Sequence, residues 1–377
     1  SNDLNNVKVI EVPYWPFTGN ENTVTPDNNS LTDTQPSPLV ISIKERVRTL
    51  RKTIGSLGDI HDFWVYPALK TAQNLYNAWK YDVVVSTYSP PATHVIASKL
   101  KKKHSSLVWV ADFRDLWYGN HLSSAKGVFG IIENKYERYF LNRADMLMTV
   151  SDPLNSYIKK RYPNKEVYTC ENGFDLEDQI DIPDTNYFPD DGKIRLIYTG
   201  TIYAGKQDPS PLFAAIKELK KQGMHISEKL EVLFYGSSLG NLSELVQKYD
   251  LHDVVKRPGF VDRTTILHIQ KSADALIFLE WEDPTVDGIL TGKLFEYFYS
   301  GTPILGIGVT TNTLPGRLIE ESGTGVALGR DVNSIYSILL NLINQKGIYY
   351  NPDVNLLRNY TREEQARRLL DKVFEYK

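Results

Sequence analysis

Asp82 to Phe113 reads DVVVSTYSPPATHVIASKLKKKHSSLVWVADF, and this stretch decides the fold class. DVVVSTYS is a short β-branched run closed by Pro90 and Pro91, HVIASKLKKK has helical spacing, and SLVWVADF is a second apolar run. Strand, helix and strand in that order predict a parallel βαβ unit whose strand ends carry polar groups to one edge of the sheet.

The rhythm continues outward from there. Gly130 to Asn142 reads as a long helix, MLMTVS (Met146 to Ser151) as a buried strand, Pro153 to Arg161 as a helix, and EVYTCENGFD (Glu166 to Asp175) as a strand running into a loop. Upstream lie an amphipathic helix, Val65 to Trp79, and a basic helical segment, Lys44 to Leu57. Before these comes a polar loop at about 18–38, rich in Asn, Thr, Asp, Pro and Ser. The strand, Gly turn and helix that normally open a doubly wound domain are not legible before Val7, so the first domain is read as lacking its opening strand-helix-strand.

Asp181 to Gly192 has no apolar periodicity and is read as a linker, after which the α/β rhythm restarts. IRLIYTG, LEVLFYG, VVKRPGF, ALIFLE and PILGIG alternate with helical stretches, and Thr361 to Tyr376 is a strong amphipathic helix. The expected fold class is α/β, two doubly wound Rossmann-like domains facing a cleft. The expected domains are 1–187, 188–355, and a terminal helix at 356–377.

Composition narrows the function. With 377 residues, 43 basic and 46 acidic, the chain carries a formal charge of −3, so no overall field favours a nucleic-acid partner. The lone Cys170 forms no intramolecular bridge, which excludes a disulfide scaffold and leaves stability to a buried core. No apolar run approaches the roughly 18 residues that cross a bilayer, and no signal-peptide pattern opens the chain. A cytoplasmic location is expected, with peripheral membrane contact through the basic helix Lys44 to Lys52 as an added reading against a plain solvated face. HExxH, CxxC, P-loop and GxSxG patterns are absent and the seven His are scattered, so neither a metal nor a cofactor is expected.

The most informative stretch for chemistry is VDGILTGKLFEYFYSGTPILGIG, Val286 to Gly308. Gly288 and Gly292 free the backbone ahead of a helix beginning near Lys293, where unpaired amides and the helix dipole favour a diphosphate. Lys293 adds a full charge there. Glu296, one turn on, can accept hydrogen bonds from the vicinal hydroxyls of a ribose. Gly288, Ile289, Leu290 and Thr291 would supply the backbone of the cradle.

A second cluster, YTGTIYAGKQDPSPL (Tyr198 to Leu212), ends a strand at Gly200 and sets Thr201 and Lys206 in the following loop, so that Lys206 and Lys293 could converge on one anion. In the third, VADFRDLWYGNH, Asp112, Arg114 and Asp115 crowd the end of a buried strand, either as an internal brace or as groups facing an acceptor or leaving group. Ser89, ending the neighbouring strand, and Asn172 are read as further lining.

At these residues the sequence resembles the retaining glycosyltransferases of family four, which have the GT-B architecture. DGILTGKLFEYFYSGTPIL is similar to that family's donor-binding stretch and YTGTIYAGKQDP to its first phosphate loop. VADFRDLW and VSDPL…ENGFD are similar to first-domain signatures of a bacterial sugar-transferase subgroup. The resemblance implies ribose recognition by Glu296, which matches the second Glu of the family's E-x7-E pair; the first falls on Gly288. Thr201 stands where the family has a phosphate-binding Arg, leaving that charge to Lys206 and Lys293. Arg114 and Asp115 replace the His that often contacts the donor sugar. Asp115, Arg114 and Lys206 are therefore the expected catalytic residues. The implied donor is a nucleotide-diphosphate sugar, and the implied acceptor is a sugar or a lipid-linked or protein-linked glycan. The resemblance also implies retained configuration, no need of a metal, and a setting in bacterial surface polysaccharide assembly. A nucleotide-sugar epimerase of similar build and a catalytically incomplete donor-binding module are the alternatives.

Overall fold

The computed structural model describes residues 7–14, 56–57, 59–120, 125–179, 182–282 and 290–376. The polar loop at 18–38 and the basic segment Lys44 to Lys52 lie outside them. The described chain divides into two compact units, one of residues 2–170 with 373–377 and one of 171–372. Residues 171–187, read above with the first half, group with the second.

In the first unit, β1 (Val83–Tyr88), β2 (Val108–Phe113), β3 (Met146–Thr149) and β4 (Glu166–Thr169) form a parallel sheet in the order β1-β2-β3-β4. β2 is buried along its whole length, as a continuous apolar run in a parallel sheet requires. Around the sheet lie α1 (Val65–Trp79), α2 (Ala92–Lys103), α3 (Val128–Leu141) and α4 (Asp152–Arg161). The core gathers Trp109, Phe113, Trp117, Leu141 and Leu147. At the carboxyl edge the register sets Thr87 opposite Asp112, and Asp112 opposite Met148. The chain's last residues belong here too, where the Tyr376 hydroxyl donates to Glu166.

The second unit holds β5 (Ile194–Thr199), β6 (Leu230–Tyr235), β7 (Val255–Gly259), β8 (Ala275–Leu279), β9 (Ile304–Ile307) and β10 (Gly325–Gly329). All pair in parallel, in the order β10-β9-β8-β5-β6-β7. Its helices are α5 (Ser210–Lys221), α6 (Leu242–Tyr249), α7 (Arg263–Lys271), α8 (Gly292–Ser300), α9 (Leu314–Glu321), α10 (Val332–Ile343), α11 (Val354–Arg358) and, up to Lys372, α12 (Arg362–Phe374). From β5 the chain steps outward through β6 and β7, then returns to lay β8, β9 and β10 on the other side. That reversal beside β5 is a topological switch point, where strand ends part and leave a crevice. The two apolar layers of this unit share no residue with the core of the first. Among the described residues, no helix is long and apolar enough to cross a membrane.

Candidate functional site

At the carboxyl edge of the second sheet lies a cavity of about 360 Å³ lined by Thr199, Gly200, Thr201, Tyr235, Gly236, Ser237, Phe260, Val261, Ile266, Lys293 and Glu296. Its walls are strand ends, the loops that follow them, and residues of α7 and α8. β5 gives Thr199 and leads into Gly200, β6 gives Tyr235 and leads into Gly236, the loop after β7 gives Phe260 and Val261, and α8 supplies Lys293 and Glu296.

Two glycines make the approach possible. Gly200 has φ 105°, in the left-handed region, and a Cβ there would lie 3.2 Å from Lys293 Cε and 3.3 Å from its Nζ. A Cβ on Gly236 would stand 2.3 Å from the Gly200 carbonyl oxygen. The bare backbone thus lets the two strand ends close together and leaves the Lys293 side chain its berth. The ammonium rests 3.8 Å from the centre of the Tyr198 ring, a cation-π contact. Burial lowers the Lys293 pKa to about 7, partly opposed by the charge of Glu296.

The Glu296 carboxylate is oriented from behind. Its Oε1 accepts from Gln270 Nε2 at 2.5 Å and its Oε2 from Arg263 Nη1 at 3.3 Å. Gln270 is fully buried, and the same amide nitrogen donates to Thr199 Oγ1 at 3.1 Å. The Thr199 amide in turn donates to the Tyr297 hydroxyl at 3.0 Å. A chain of hydrogen bonds therefore ties the end of β5 to α7 and α8 and fixes the carboxylate at the cavity wall.

The structure brings together some of the residues expected from sequence and not others. Gly200, Thr201, Lys293 and Glu296 share the cavity, and α8 starts at Gly292, next to the expected Lys293. Thr291 is its N-cap, in extended backbone, and Leu290 is buried. Gly288 and Ile289 lie outside the described residues. Lys206 is not among the lining residues. It sits on the turn after β5, where its amide donates to the Tyr203 carbonyl and its own carbonyl accepts from the Glu282 amide. Asn172 groups with the second unit, and its Nδ2 donates to the Leu290 carbonyl at 2.9 Å, just ahead of α8.

In the first unit Asp112 is buried at 3 % exposure, and its Oδ2 accepts from Thr87 Oγ1 at 3.1 Å and from Arg114 Nε at 3.0 Å. Burial raises its pKa, against the pull of Arg114 and Thr87. Arg114 Nη1 also donates to the Cys170 carbonyl at 3.2 Å. That geometry is the internal brace, joining the ends of β2 and β4. Asp115 and Ser89 are exposed.

Sequence reasoning does not single out Phe260, Val261, Gly236, Arg263 or Gln270. A glycine closing the LEVLFYG run, matching the one closing IRLIYTG, is the available signal for Gly236.

Two parallel sheets, each flanked by helices, with the second unit's site at the carboxyl ends of β5 and β6, define the two-Rossmann-domain architecture of the GT-B class. Residues 30–178 match the family described as Glycosyltransferase Family 4, and on that domain the chain is a glycosyltransferase. A search of curated protein sequences returns no match. Solved structures share the fold at low identity. A sucrose-phosphate synthase from Thermosynechococcus elongatus is 13% identical over 85% of this chain and 80% of that one, with a TM-score of 0.56. A point mutant of TarM from S. aureus, in complex with fondaparinux, α-GlcNAc-glycerol and UDP, is 13% identical over 79% of this chain and 58% of that one, with a TM-score of 0.51. A candidate UDP-N-acetylglucosamine 2-epimerase from Listeria monocytogenes is 14% identical over 85% of this chain and 82% of that one, with a TM-score of 0.50.

Proposed function

We propose that this glycosyltransferase moves a sugar from a nucleotide-diphosphate donor to a hydroxyl of a glycan acceptor, and that the cavity at β5, β6 and α8 holds the donor's nucleotide. The observation that carries this reading is the pairing of Lys293 and Glu296 one helical turn apart in a single cavity, one at the glycine-lined end of β5 and the other clamped by Gln270. Glu296 accepts from the ribose hydroxyls, and the apolar side formed by Phe260, Val261 and Ile266 receives the base. Lys293, with the first amides of α8, meets the diphosphate and stabilises charge on the leaving phosphate. Lys206 contributes from the neighbouring turn if the bound donor reaches it.

In the first unit the exposed Asp115 is the proposed contact for acceptor or donor sugar, and Arg114 braces the strand end that presents it. Configuration is proposed to be retained, without a metal, in assembly of a bacterial surface glycan. Support for the donor class comes from a neighbour of like fold described in complex with UDP. The epimerase reading has a neighbour of like fold as well, but the family match over 30–178 favours transfer.

Calorimetric titration with UDP, GDP and their sugars tests the donor site. Micromolar binding that Glu296→Ala weakens at least roughly tenfold, with the melting profile kept, is the expected result. Unchanged binding in that variant overturns the assignment. Incubation with a nucleotide sugar and no acceptor separates the two enzymes: production of the epimer would favour the second.

A further inference from the structure

α3 turns large apolar side chains away from the core. At 3.6 residues per turn, Gly130, Glu133, Glu137 and Phe140 share the side turned to the core, and all four are buried. The opposite arc carries Val128, Ile131, Ile132 and Tyr139, which are between 46% and 62% exposed. Phe129 and Tyr136 lie at its border with the core side, where Tyr136 meets Trp117 and Phe140 edge-on. A surface helix normally turns a polar face to water, and four large apolar or aromatic side chains on one exposed arc are a patch that needs an occupant.

Charge selects it. Residues 126–141 contain two acids, and both are at 0 % exposure: Glu133 accepts from the Ser56 and Ala125 amides, and Glu137 from the Tyr118 amide, the Tyr162 hydroxyl and Arg161. The three bases of the same stretch, Lys126, Lys135 and Arg138, are all exposed. Acids turned inward and bases outward leave this face positive on a chain whose formal charge is −3. Asp62, close enough to help raise the Tyr136 phenol, borders the patch on one side. A second copy of the chain brought face to face would set these bases against their own kind. An anionic bilayer supplies both partners at once: an acyl boundary for the isoleucines and Val128, and phosphates for the bases and Tyr139 at the headgroup level.

We propose that the outer face of α3 docks the first unit on the surface of an anionic membrane. This goes beyond the nucleotide reading and does not depend on it.

Co-sedimentation with vesicles of phosphatidylcholine, with and without a quarter of phosphatidylglycerol, is the test. The protein should pellet with the anionic vesicles only, and less as salt is raised. The double variants Ile131→Ser with Ile132→Ser, and Lys135→Glu with Arg138→Glu, should each lower the partition at least roughly tenfold. Lys248→Glu on α6 should leave it unchanged. Near-ultraviolet dichroism and the melting temperature confirm that the variants are folded, so the outcome stands whether or not UDP binds. Three results would overturn the proposal. They are no pelleting with either vesicle, pelleting that both double variants leave intact, and a dimer in sedimentation velocity that the isoleucine variant abolishes, which would make the face a contact between copies.

Discussion

Lys293 holds its ammonium against the Tyr198 ring, and burial brings its pKa to about 7. A diphosphate binds the charged form, so the resting site must take up a proton to bind above neutrality. UDP affinity should fall about tenfold from pH 8 to pH 9, with proton uptake visible as a buffer-dependent enthalpy; a flat profile removes Lys293 from the diphosphate. The linkage also reaches stability. Between about 7 and the ordinary lysine value of 10.5 the unfolded chain holds a proton that the folded one lacks, so this group makes stability rise with pH through that window. Lys293→Met should remove that part of the slope in urea unfolding while weakening UDP. Gln270 acts one residue further back. Gln270→Leu leaves Glu296 with Arg263 alone, and the preference for UDP over its 2′-deoxy form should shrink toward unity by calorimetry, whereas a merely structural loss would weaken both equally.

Among the elements, the ends of β5 and β6 are the least forgiving. A side chain on Gly236 would meet the Gly200 carbonyl at 2.3 Å, backbone that no rotamer can clear. Gly236→Ala is expected to cost about 2 kcal/mol in urea unfolding and to abolish nucleotide binding. In the first unit the turn after β2 hangs on α3 through Glu137, whose carboxylate meets Arg161 at 2.7 Å and the Tyr118 amide at 2.6 Å. Glu137→Ala strands a mostly buried guanidinium and should cost about 3–5 kcal/mol by the same measurement.

Element identity is legible because parallel strands buried on both faces read as β-branched runs, and because a glycine ends two of them. The Lys293–Glu296 pair is legible for a related reason, since three residues along a helix fixes a shared face. Gln270 and Phe260 are not. A glutamine in the last turn of a helix looks like any surface residue until its partner arrives from another helix. A phenylalanine that follows VKRPG and is 78% exposed carries no periodic signal at all. Lys206 shows the converse: strand-then-loop reading places it near the right sheet edge but does not say which way a turn carries it.

Across the whole molecule, cores that share no residue give each unit its own source of stability. Scanning calorimetry should therefore resolve two transitions, with UDP raising the one that belongs to 171–372 and leaving the other in place. At a hundredfold excess over the dissociation constant the added stability is about 2.7 kcal/mol. A single transition that moves as one would show the units to be thermodynamically coupled. Composition puts their boundary in the Asp- and Pro-rich stretch 181–192; the divide falls after Cys170, because Phe174 packs with Phe295 and Tyr360 in the second core. A polar stretch marks where a chain is solvated, not where one set of contacts gives way to another.

The glycine-walled berth of Lys293 carries one last implication. An amine half discharged at neutral pH is drawn to full charge by the anion that settles beside it. Filling the pocket and protonating its floor then become one event, and mild acidity loads the berth in advance of its guest.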